Sequence, residues 1–304
     1  MVTQQFNENN VKKIKILLCG SGAIPNIVFN DPGCPPPTSA PVSSPHGGGG
    51  GGDPHIQRWG RERFPFHGEC DLVLTHSDGF HNNAGLDLHI RTTIQDYYSY
   101  IETAALRVGD TILEMHKDYF YVNGVKHTEA ELPFVFGGEF KYTINEAEIN
   151  KHEKNEKFDK KFYRVDLHDD SYVIFKFYKN YLTVSIDGHP ADFGDSTGLL
   201  GDFDHGEMWG RDGRMIADTQ EFGFEWQVSP DEPRLFIDSR EPQLPYERCR
   251  MPTAAMNKQR KLRGVDLALL GQAAEACSSQ QGTDLDLCIE DVMITGDLGL
   301  ADLW

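Results

Sequence analysis

Asp53, Pro54 and His55 stand in a row, and side chains of these three types can break the chain that carries them. The Asp53 carboxylate can attack its own main-chain carbonyl. The tertiary amide nitrogen of Pro54 leaves well once it is protonated. His55 belongs to the residue type that titrates nearest neutrality, so it can donate that proton. Such a cut needs strain or preorganisation at the bond. The same residues have a plainer use, with Pro54 at the first position of a strand that the motif merely opens. If the chemistry runs, an ordinary imidazole supplies its proton at about pH 6, so the cut is expected to be faster in mild acid.

Two further groups of residues invite chemistry. Asp187, Asp192, Asp195, Asp202, Asp204, Glu207 and Asp212 fall within 26 positions, against the single base Arg211. Hard cations take oxygen ligands of this kind, and solvated turn acids look the same. An EF-hand is excluded, because its twelfth position counted from Asp202 is Gly213 rather than Glu. Gly194-Asp195-Ser196-Thr197-Gly198 fits G-x-S-x-G, but a nucleophile elbow needs a strand before the serine and a helix after it. Here the turn-rich Gly201-Asp202-Phe203-Asp204 follows. The 12 histidines show no paired spacing that would mark a zinc site.

Composition narrows the classes. The chain has 304 residues, 39% hydrophobic and 25% charged, with a formal net charge of -18. That charge excludes a phosphate-binding surface, so no nucleic-acid partner is expected. No run of about 18 apolar residues exists, and no transmembrane helix is expected. Lys12, Lys13 and Lys15 before Ile16-Leu17-Leu18-Cys19 resemble a signal peptide only faintly, since Gly20 and Gly22 break the run. Six cysteines stand at 19, 34, 70, 249, 277 and 288. Spacing does not fix their connectivity, and the absence of C-x-x-C argues against a zinc ribbon or a thioredoxin-like site.

The elements that must position these groups read as mainly β. Residues 1–51, rich in Pro and Gly, are expected to be a disordered leader and tether. No strand is expected before residue 53, so the glycines Gly47 to Gly52 would leave the scissile bond unconstrained on that side. Residues 52–228 form the expected β domain. Leu86 to Ile94 alternates with period two, and Asn123-Gly124 signals a hairpin. Tyr163, Val165 and Leu167, then Val173, Phe175 and Phe177, then Leu182, Val184 and Ile186 read as an antiparallel meander. Lys151 to Lys161 reads as a solvated loop. Residues 229–304 read as an extended, cysteine-containing segment and a helical tail, with Leu262, Val265, Leu269 and Ala273 at helical spacing. Thr283 is the expected N-cap of a last helix from Asp284 to Ile294, with Gly296 just past its end.

Gly52-Asp53-Pro54-His55, Phe66-His67-Gly68-Glu69-Cys70-Asp71 and Leu72-Val73-Leu74 resemble the opening of a von Willebrand factor type D domain. The family's closing signature is similar to Gly198-Leu199-Leu200-Gly201-Asp202-Phe203-Asp204 and Glu221 to Val228. The resemblance covers roughly residues 52 to 228. It implies an antiparallel sandwich of two packed β-sheets, and some members cut themselves within Gly-Asp-Pro-His. It implies a calcium loop at Asp202, Asp204, Gly206, Glu207 and Asp212. The family's Asp after its first aromatic aligns here with Gly60, a departure that implies weak affinity, about 10⁻⁴ to 10⁻³ M.

The resemblance also pairs Cys70 with Cys249. A second family bridge is missing at both ends, one of them occupied by Leu200. Cys277 and Cys288 would then bridge the tail, leaving Cys19 and Cys34 for intermolecular use. The function it implies is a non-enzymatic, extracellular structural, adhesive or assembly module. Its partners would be other extracellular proteins or matrix, and a homo-oligomer is allowed. The alternatives are a calcium-dependent glycan-binding module and a serine hydrolase built on Ser196.

Overall fold

Alternation of apolar and polar residues becomes two antiparallel sheets that share one core in the computed structural model. The structure describes residues 46–95, 98–147, 160–168, 170–238, 240, 248–253 and 266–304. These belong to one compact unit, Ser44–Trp304. Most of the leader, with Cys19 and Cys34, lies outside them, as do most of Lys151 to Lys161, Leu262 and Val265.

β1 (His46–Gly51), β2 (His55–Gln57) and β3 (Arg63–Pro65) form one flank of the larger sheet. β4 (Asp71–Ser77), β5 (Leu86–Gln95), β6 (Tyr98–Val108), β7 (Thr111–Met115), β8 (Tyr119–Val122) and β9 (Val125–Thr128) make a six-stranded meander. β10 (Phe134–Phe136), β11 (Tyr142–Glu146), β12 (Lys160–Asp166), β13 (Tyr172–Tyr178) and β14 (Tyr181–Gly188) complete the larger sheet, in the order β10-β11-β12-β13-β14-β1-β2-β3. The Asn123-Gly124 hairpin forms as expected, with Val122 opposite Val125. Val173, Phe175 and Phe177 alternate inward from β13 and join Leu88, Ile90 and Leu106 of the other sheet in the core.

The glycine run is not a tether. Gly47 to Gly51 lie in β1, which pairs with β14 on one side and β2 on the other, well inside the sheet. The expected boundary at residue 52, and the absence of a strand before 53, are corrected here. Period-two reasoning needs side chains to alternate, and glycine has none. The reason for glycine is close approach. A Cβ on Gly48 would stand 2.9 Å from the Leu200 side chain, and one on Gly50 would stand 2.8 Å from that of Ile56.

Pro190–Phe193 (α1) and Thr219–Glu225 (α2) are short helices at the sandwich margin. The tail holds α3 (Leu267–Ala276), α4 (Gly282–Thr295) and a final 3₁₀ turn, Leu298–Leu303. α4 starts ahead of the expected N-cap Thr283, while Gly296 caps it in the left-handed region as expected (φ 71°). Cys70 is bonded to Cys249 and Cys277 to Cys288. The first bridge closes a separation of 179 residues, worth at most roughly 5 kcal/mol in the chain-entropy account. The second ties α3 to α4. Ala273, Cys277, Cys288, Val292, Leu300 and Leu303 form a small second core with Tyr178. Tyr178 follows inward-facing Phe177, so the helical unit covers the outer face of the larger sheet.

Candidate functional site

The turn between β1 and β2 carries Asp53 and Pro54. Gly51 pairs with His55, so Gly52, Asp53 and Pro54 must reverse the chain inside a buried hairpin. Gly52 takes φ 63°, and a Cβ there would collide with the Asp291 carboxylate. Pro54 O accepts a hydrogen bond from Phe66 N at 3.0 Å, which fixes the far side of the bond.

Asp291 is the group that sequence reasoning missed. It reaches the turn from α4, a separation of 238 residues. Asp53 N donates to Asp291 Oδ1 at 3.3 Å. His55 Nε2 is in ion-pair contact with Asp53 Oδ1 and lies 3.4 Å from Asp291 Oδ1. Trp304 Nε1 donates to Asp291 Oδ2 at 3.0 Å, and its ring stands 5.4 Å from the His55 ring. Arg63 lies over the Trp304 ring, 4.9 Å from its centroid, and donates to Asp284 Oδ1 at 2.9 Å. Asp53, His55 and Asp291 are 0%, 3% and 0% exposed. One signal was present in the sequence: Asp291 follows Cys288 by three and precedes Val292, so an acid sits on the core-facing stripe of a helix.

Burial and like charge set the protonation of this trio. Burial, reinforced by the Asp291 carboxylate, pushes the Asp53 carboxyl up to about 7. Burial alone would lower His55, but its contacts with Asp291 and Asp53 outweigh that and raise it to about 10. Asp53 Oδ2 and His55 Nδ1 are buried without a hydrogen-bond partner among the described residues. Such groups are rare in folded proteins. The donor atoms of Asp53, His55 and Asp291 lie within 4.8 Å of one another, the one such cluster among the described residues.

In the acidic loop the expected ligands Asp202, Asp204, Gly206, Glu207 and Asp212 have different surroundings. Asp202 accepts hydrogen bonds from the main-chain N of His205 at 3.0 Å and of Glu207 at 2.6 Å. Asp212 turns outward to Arg214, whose Nε lies 2.6 Å away. Asp204 is exposed and Glu207 half-buried. Gly206 O accepts from Arg58 at 2.5 Å, and His205 O accepts from Arg61 at 2.5 Å. Two guanidinium groups, flanking Gly60, therefore hold the carbonyls of this loop.

Ser196 follows the turn after α1, and Thr197 pairs with His76 across a bridge. Gly198 and Leu199 follow without a helix, so the elbow geometry is absent. Ser196 Oγ is buried without a partner among the described residues. It lines a cavity of about 480 Å³ with His76, His89, Trp209 and Trp226. Burial holds His89 neutral, its pKa pushed down to about 4. No family model matches the chain, and no curated protein matches it.

Proposed function

We propose that the chain is a self-cleaving β-sandwich module of the von Willebrand factor type D kind, which breaks its own backbone between Asp53 and Pro54. The observation that carries this reading is the burial of that bond in a tight turn, with Asp53 and His55 in ion-pair contact. Asp53 Oδ attacks the Asp53 main-chain carbonyl carbon, and a C–O bond forms. The C–N bond to Pro54 breaks as the His55 imidazolium gives its proton to the proline nitrogen. The product is a cyclic anhydride of Asp53. Water opens it to two carboxyl groups and returns a proton to His55.

The cut chain is a two-piece assembly. β1 lies between β14 and β2, so residues ahead of the cut stay hydrogen-bonded within the sheet. The two disulfides fit an oxidising, extracellular setting, in which such a module would serve adhesion or assembly. Intact mass tests the reading. A fragment beginning at Pro54 that accumulates in the purified protein and is absent from Asp53→Ala supports it. A chain that stays whole over days at pH 8 refutes it.

A second reading is a glycan-binding module, favoured by the cavity that Trp209 and Trp226 line beside the acidic loop. Aromatic faces with a few polar groups are a usual lining for small-ligand sites. Binding to a polysaccharide panel that Trp209→Ala abolishes would support it. Sensitivity of that binding to chelator would bring calcium in.

A further inference from the structure

We propose that Asp291 is a positioning residue for cleavage, so that the Asp53–Pro54 bond breaks only after the C-terminal helical unit has docked. This rests on the self-cleavage reading and adds to it a distant group and a condition on the reaction. The geometry supplies the argument. Asp291 Oδ1 takes the hydrogen bond of Asp53 N at 3.3 Å and lies 3.4 Å from His55 Nε2. One oxygen therefore orients both the residue that attacks and the residue that donates the proton. The other oxygen is fixed by Trp304 Nε1 at 3.0 Å. Second contacts of this kind hold a working group in one orientation, as they do around metal-bound histidines.

The turn itself is shaped for this carboxylate. Gly52 has no side chain where Asp291 stands, and it adopts φ 63° to let the chain pass. Without the helix, Asp53 and His55 would be left on an open sheet face, where water would compete for both. With it, they are sealed beneath Trp304 and Arg63. The unit is held down at other points too. Asp297 accepts from Tyr178 Oη at 2.8 Å and from Lys179 Nζ at 2.5 Å, and Lys160 pairs with Asp302. Its own fold is clamped by Cys277–Cys288. Because Asp291 follows Asp53 by 238 residues, the bond cannot be cut until the chain through α4 has been made and folded. Cleavage thereby reports docking of this unit.

The test uses the full chain, purified at pH 5 and shifted to pH 8, with fragments followed by mass. Asp291→Asn keeps the side-chain shape and an oxygen acceptor but removes the charge. The expected result is a loss of about tenfold or more in cleavage rate at pH 8, the scale of a mispositioned acid–base pair. Its pH profile should also move. The carboxylate that raises both Asp53 and His55 is gone, so both limbs shift toward lower pH. A merely structural role would not move the limbs. Trp304→Phe keeps the ring and deletes the N–H, and should lose rate in the same direction by a smaller factor.

Several outcomes overturn the proposal. Asp291→Asn cutting at the wild-type rate overturns it, as does a slower rate with unmoved limbs. So does Trp304→Phe cutting at the full rate while Asp291→Asn fails to fold. A wild-type chain that stays whole refutes the cleavage reading first, whereas a cutting wild type with an indifferent Asp291 refutes this inference alone.

Discussion

Acid should slow the cut. An isolated imidazole would point the other way, since it gains its proton at about pH 6.5 and acid would then favour the donor. In the structure the donor is already charged, because two carboxylates hold His55 at about 10. The limiting group becomes the nucleophile, whose burial puts Asp53 at about 7. The reactive form has Asp53 ionised and His55 protonated, and it is most populated between those two values. At pH 8 roughly nine-tenths of Asp53 is ionised, and at pH 5 about one-hundredth, so the rate should fall roughly ninety-fold between them. Below pH 7 the slope approaches about tenfold per pH unit. Above about pH 10 the rate should fall again as His55 loses its proton. The assay is the first-order appearance of the Pro54 fragment across pH 5 to 11, with circular dichroism confirming that the fold persists at each point. A rate at pH 5 equal to or above that at pH 8, with the fold intact, would refute the reasoning.

Three further outcomes are expected. After cleavage the leader should co-elute with the sandwich under native conditions and separate only in denaturant, because β1 is paired on both sides; separation on a native sizing column would count against the strand. Millimolar calcium should leave the melting temperature unchanged, while Arg58→Ala should destabilise by about 1.5–3 kcal/mol, the worth of a charged hydrogen bond. A calcium-dependent rise in melting temperature would mean that the loop binds the ion in spite of Arg58 and Arg61. Replacing Cys277 and Cys288 with Ser should loosen the C-terminal unit by about 2–3 kcal/mol, since the bridge spans a sequence separation of 11. The same change should slow cleavage; an unchanged rate would show that α4 docks without its clamp.

The sandwich was legible where side chains alternate. Val173, Phe175 and Phe177 announce a half-buried strand because each faces the core, and the structure keeps that register opposite β14. Asn123-Gly124 announces its hairpin because both residues tolerate a positive φ, and both adopt one. Local signals of this kind carry no information about what meets them in space. The proximity of Asp53 and His55 was legible in the sequence, and the structure keeps them in contact. Their ionisation was not, because it is set by burial and by a carboxylate from α4. The acidic loop shows the same limit. Charge counted along the chain cannot show that Asp202 is engaged with main-chain N–H groups, or that Arg58 and Arg61 reach the loop carbonyls from another strand connection.

The glycine run connects these two lessons. Composition reads it as a tether because glycine loses the most entropy on ordering and has no side chain to bury. Both statements hold, yet the run is ordered, because its neighbours offset that cost. Leu200, Ile56 and Thr183 occupy the space where side chains of β1 would stand. A strand with side chains could not lie there, and a tether could not hold the bond. With Gly51 fixed opposite His55, Gly52, Asp53 and Pro54 must turn the chain within the sheet. The segment that looks least structured in the sequence is therefore what constrains the Asp53–Pro54 bond on its N-terminal side. Lengthening the run by one glycine would shift its register and release that constraint without removing a single catalytic group.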